Sequence, residues 1–118
     1  MNDISNPPTT YDRICNEFGI KTLAGREALE VAIANVQLLD RKQQDYGPNN
    51  IAEFGMFGVV VRMTDKFWRL KNLLGKGRRR KAQNESVRDS FRDIANYATI
   101  AILLDTKKWP QSETQANP

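Results

Sequence analysis

The sequence predicts an all-α protein, a small helical bundle of three long helices preceded by one short N-terminal helix. Three observations carry this. Apolar residues recur at spacings of one, three and four over 29–39, 56–74 and 87–102. The breaks between those stretches hold residues that stop and start helices, namely Gly19, Thr22, the run Asp45 to Asn50, Gly75, Gly77 and Asn84. No stretch reads as a strand: Gly58-Val59-Val60-Val61 is β-branched but short, and the helical period continues through it.

Residues 1–8 are polar with two prolines and read as a flexible arm. Thr9 or Thr10 caps a short helix to about Phe18, with Ile14 and Phe18 inward and Gly19 ending it in the left-handed conformation. Thr22 caps a long helix to about Gln44, whose apolar side is Leu29, Ala32, Ile33, Val36 and Leu39. Asp45-Tyr46-Gly47-Pro48-Asn49-Asn50 stops it. Gly47 can take positive φ, Pro48 blocks continuation, and Asn49 or Asn50 caps the next helix.

A second long helix is expected from about Ile51 to Leu74, with Met56, Val60, Met63, Phe67, Leu70 and Leu74 inward. Gly55 and Gly58 each cost about 1 kcal/mol against alanine inside a helix. Either the helix breaks there, or a backbone or ligand comes close. Gly75-Lys76-Gly77-Arg78-Arg79-Arg80-Lys81 reads as a flexible basic loop with five cations. Asn84 caps the third long helix, Glu85 to about Asp105, with Val87, Phe91, Ile94, Ala98 and Ile102 inward. Trp109-Pro110 packs once, and 110–118 is a flexible tail. The expectation is one helical domain over 9–109.

Composition narrows the chemistry. The 118-residue chain carries a formal charge of +4 and contains no histidine and one cysteine. The commonest general base and zinc ligand are therefore missing, as are an internal disulfide and a Cys–His nucleophile. Cys15, between Ile14 and Phe18, reads as a small buried residue. No run is long enough to span a membrane and no signal pattern opens the chain, so a cytoplasmic protein without a membrane partner is expected. The mild positive charge favours anionic partners.

Two stretches carry the candidate site. Arg62, Lys66 and Arg69 share one face of the second long helix with Gly55 and Gly58. Glu85, Asp89 and Asp93 recur every four residues on the third. Carboxylates so spaced can hold Mg²⁺ through oxygen, while the cations hold phosphates. In that arrangement Asp93 or Asp89 would act as base. The same residues could instead pair with one another across two packed helices. Asp45 and Tyr46, at a helix end, and Asn96 complete the candidate set.

The order Asp45-Tyr46-Gly47, Phe54-Gly55, Arg62-Met63-x-Asp65-Lys66-x-x-Arg69-Leu70 and Glu85-Ser86-x-x-Asp89-x-x-x-Asp93-Ile94-x-Asn96-Tyr97 resembles the nucleotide modification associated domain 1 family of phage and bacteria. The resemblance covers roughly Leu29 to Leu104. It implies a small, mostly helical protein tied to modified-nucleotide metabolism, and no particular reaction. The third helix is also partly similar to the MazG-like all-α nucleoside triphosphate pyrophosphohydrolases, which hold magnesium on a Glu-Glu-x-x-Glu helix and a Glu-x-x-Asp helix. Here Glu85 and Asp89 stand four apart, and Glu27, Glu30 and Asp40 do not supply the first motif.

The leading expectation is a nucleotide-binding helical protein, with Mg²⁺-dependent phosphohydrolysis as its enzymatic form. The alternatives are a phage accessory protein that sequesters a nucleotide, and a nucleic-acid binder using 75–81, whose affinity would fall steeply with salt. A homo-oligomer is expected on each, because wide apolar surfaces including Trp68 and Trp109 exceed what so short a chain covers.

Overall fold

Local capping signals set the helix boundaries. The computed structural model of the protein describes residues 6–75 and 81–110, with backbone alone for 81–83. Five helices follow in order: α1 Thr10–Phe18, α2 Leu23–Tyr46, α3 Asn49–Ala52, α4 Gly55–Leu74 and α5 Lys81–Asp105. The protein is all-α. The basic residues 76–80, residues 1–5 and the tail 111–118 lie outside the described residues.

The chain divides into two compact units, Met1–Gln37 and Leu38–Pro118. In the first, α1 opens on a capping box. The Thr9 hydroxyl accepts from the Asp12 N–H at 3.1 Å, and the Thr9 N–H donates to the Asp12 carboxylate at 2.9 Å. Gly19 closes α1 at φ 71°, and Cys15 is buried. The Thr22 hydroxyl then accepts from the Gly25 N–H at 3.0 Å as α2 begins.

The second unit is built on α4 packed along α5, with α3 against α4. Its core is Ile51, Val59 and Ile100, surrounded by Leu39, Met63, Tyr97, Ala101, Leu104 and Trp109. Gly47, at φ 73°, turns the chain out of α2. α5 ends with Lys107 left-handed at φ 60°, its N–H on the Leu104 carbonyl and the Lys108 N–H on that of Leu103. That closure aims Trp109 at the α2–α3 turn, where its indole N–H donates to the Pro48 carbonyl at 3.0 Å.

Three expected helix boundaries are corrected. The helix expected over 51–74 is broken. α3 ends at Ala52, Gly55 starts α4 at φ 64°, and a Cβ on Gly58 would lie 2.8 Å from the Phe54 Cβ. One glycine makes the break and the other leaves room for Phe54. Neither Asn49 nor Asn50 caps α3; Pro48 holds that position, with no side-chain hydrogen bond. Asn84 is not a cap, because α5 starts three residues earlier at Lys81.

The inward faces of α4 and α5 also differ from those expected. α4 buries Val59 and Leu70 and half-buries Arg62, Met63 and Lys66, while Val60 and Phe67 are exposed. α5 buries Val87, Ser90, Asn96 and Ile100, while Phe91 and Ile102 are exposed. Periodicity allowed either face of α4. Opposite charge across the α4–α5 contact favours the one bearing cations, as the ion pair of Lys66 with Asp93 shows. Ser90 is cheap to bury because its hydroxyl donates to the Ser86 carbonyl at 2.8 Å.

Candidate functional site

A cleft of about 240 Å³ opens within the second unit. The last turns of α2 supply Leu39, Lys42, Gln43 and Tyr46, at spacings that put them on one face. Gly47, Asn50 and Ile51 follow from the turn and α3. Arg62 comes from α4, and Asp93, Asn96, Tyr97 and Ile100 come from α5, again at one-face spacing. The floor is the apolar core through Ile51 and Ile100. The Trp109 bond to Pro48 fixes the turn between Tyr46 and Asn50 from below.

Asp93 is the electrostatic centre. Its two oxygens take the Lys42 ammonium at 3.3 Å and the Lys66 ammonium at 2.9 Å. The Asp93 side chain is 17% exposed and that of Lys66 30%, so water screens this pair less than a surface bridge. Arg62 lines the same cleft and makes no ion pair with any described residue. Two ammonium groups thus hold the one carboxylate, and a third cation, Arg62, lines the same cleft. Gln43 adds an amide whose Oε1 is buried without a hydrogen-bond partner among the described residues.

Of the residues singled out from sequence, Arg62, Tyr46, Asp93 and Asn96 line the cleft, and Lys66 joins them through Asp93. The others lie apart from it. Arg69 is exposed and donates to the Ser86 hydroxyl at 3.4 Å. Asp45 and Glu85 are exposed and do not line the cleft. Asp89 is exposed as well, 3.9 Å from Arg92. Lys42, Gln43, Asn50 and Tyr97 were not singled out as site residues. Lys42, Gln43 and Tyr46 share one helix end, and Tyr97 adjoins Asn96; that adjacency was the available signal.

A resident Mg²⁺ needs several oxygen donors free to face it. Both Asp93 oxygens already face ammonium groups, and the described residues contain no group of three or more Asp, Glu or Cys side chains that could hold one. Glu85, Asp89 and Asp93 therefore do not fit a resident Mg²⁺ in this arrangement. The arrangement suits an anion held by cations, with amides and two tyrosines beside it. Of the basic run 75–81, residues 76–80 lie outside the described residues.

A family model described as nucleotide modification associated domain 1 matches residues 42–104. That span is more than half of the 118-residue chain and holds every cleft residue except Leu39. No curated protein and no solved structure matches the chain.

Proposed function

We propose, from the premise that this chain belongs to the nucleotide modification associated domain 1 family, that the cleft of the second unit binds a nucleotide. One observation carries the proposal. Arg62 faces the cleft with no partner carboxylate among the described residues, beside an acid already held by two lysines. An unmatched guanidinium with a second cation at hand suits a phosphate group, which it can hold with two parallel hydrogen bonds. Tyr46 and Tyr97 offer faces for a base, and the amides of Gln43 and Asn50 offer hydrogen bonds to its edge.

Binding is the activity these residues support. Asp93 serves as the anchor for Lys42 and Lys66, which ties both of its oxygens to the cation cluster. No step is assigned to Mg²⁺. Titration calorimetry with a panel of nucleoside mono-, di- and triphosphates, run with Mg²⁺ and with EDTA, tests the reading when each ligand is then recovered and chromatographed. The expected result is saturable binding with the ligand intact and little dependence on Mg²⁺. Turnover that requires Mg²⁺ would replace sequestration with phosphohydrolysis. Absence of binding by every nucleotide would overturn the reading.

A further inference from the structure

The charge balance of the cleft carries an inference about its ligand, and it rests on the nucleotide reading above. We infer that the cleft selects a single phosphate group, as in a nucleoside monophosphate, and that Asp93 sets this selection by neutralising one of three cations. Lys42 and Lys66 share the one carboxylate at 3.3 and 2.9 Å, and Arg62 lines the cleft without a carboxylate partner among the described residues. Lys66, which does not itself line the cleft, offsets the carboxylate, and the two cations that do line it, Lys42 and Arg62, are left over. A phosphomonoester carries about −1.5 to −2 at neutral pH, which matches them.

A longer phosphate chain fits less well for two reasons. The first is charge: each further phosphate brings negative charge that finds no unmatched cation among the cleft residues and is repelled by Asp93. The second is room. The cleft holds about 240 Å³. That is below the roughly 300–1,000 Å³ of pockets that enclose a drug-sized ligand, so even a nucleoside monophosphate fills it and leaves no room for a second or third phosphate. Outlying phosphates would therefore stand in water, where ion pairs add little.

Asp93 is thus a specificity-determining residue, and its removal has an unusual expected sign. Asp93→Asn releases Lys42 and Lys66 together and raises the cleft by one positive charge, which favours longer chains. Lys42→Gln lowers it by one and penalises them further.

The test is calorimetric titration of the full chain with adenosine and cytidine mono-, di- and triphosphates at one fixed ionic strength, without Mg²⁺. Circular dichroism melts are run on every variant. Wild type should bind the monophosphate about tenfold tighter than the triphosphate, a difference well within reach of one unmatched charge. Asp93→Asn should narrow or invert that ratio, and Lys42→Gln should widen it. If Asp93→Asn fails to fold, the Lys42→Gln ratio decides. A wild-type affinity that rises with phosphate number overturns this inference and leaves the nucleotide reading intact. So do variants that weaken all ligands equally. Failure of every nucleotide to bind overturns both.

Discussion

Arg26 in the first unit and Asp93 in the second are centres of opposite sign. Arg26 has three carboxylates about it: Asp12 at 3.2 Å, Glu30 at 3.2 Å and Glu27 at 3.8 Å. Asp93 has two ammonium groups on its oxygens, with Arg62 lining the same cleft. A concavity adjoins each. The one beside Arg26, lined also by Asp12, Cys15 and Thr22, is the larger at about 690 Å³. Yet Arg26 and Asp12 are consumed by each other there, and Asp12 also closes the capping box of α1. The first cluster ties α1 to the start of α2. The second gathers side chains from α2, α4 and α5 and leaves cations over. Under the proposed function, unmatched charge in a cleft, more than cleft size, separates a ligand site from a structural clamp.

Arginine replacement should break this comparison most sharply. Arg62→Ala is expected to lower nucleotide affinity by about 10- to 100-fold, the worth of a lost charge-assisted hydrogen bond of roughly 1.5–3 kcal/mol. Arg26→Ala should leave affinity unchanged and lower the melting temperature. Equal losses of affinity in the two variants would remove the distinction.

A second contrast sets two anchoring residues side by side. Thr9→Ala removes the capping hydroxyl of α1 and should cost about 1 kcal/mol of stability, seen in a denaturant midpoint, with binding untouched. Trp109→Phe loses the bond to the Pro48 carbonyl. It should cost about 1 kcal/mol as well, but with weaker binding, because the turn it holds presents Tyr46 and Asn50.

Much of this was legible in the sequence, and its limits are physical. Thr9, Gly19 and Thr22 were read correctly because capping depends on near neighbours. Arg62 and Asp93, read from one-face spacings, and Tyr46, read from its place at a helix end, come together with Asn96 in one cleft. The inward face of α4 was misread. Met63 and Leu70 do face inward as expected, but Val60 and Phe67 fit an apolar period as well as Val59 does, and the Asp93 partner on α5 is what draws Lys66 onto the half-buried face. Lys42 was passed over for the same reason, since it is an ordinary solvent-side lysine until α5 brings Asp93 to 3.3 Å. Asn84 looked like a cap because sequence shows a good capping residue without showing that the helix already began at Lys81.

Smaller effects sharpen the contrast further. Lys107→Gly relieves a non-glycine residue from left-handed backbone and should stabilise the protein by up to about 1 kcal/mol in a thermal melt, leaving affinity alone. The smallest expected effect is on pH dependence. The Thr9 backbone N–H, then its hydroxyl and Arg26, hold the Asp12 carboxyl below its ordinary value of 3.8. A folded value below the unfolded one contributes stability that is complete above the unfolded value and is lost as pH falls through the folded one. Acid melts should therefore show destabilisation beginning below about pH 4, with a shallower slope in Asp12→Asn. An identical slope in that variant would take Asp12 out of the account.

The most direct test of the central claim is a ¹⁵N heteronuclear correlation titration with each of the four common ribonucleoside 5′-monophosphates. Backbone and side-chain amide signals of Gln43, Gly47, Asn50, Asn96 and Tyr97 should move together and saturate at one affinity. Those of Asp12 and Arg26 should stay in place. The largest shifts falling within residues 6–37, or on the basic run of 75–81, would contradict it.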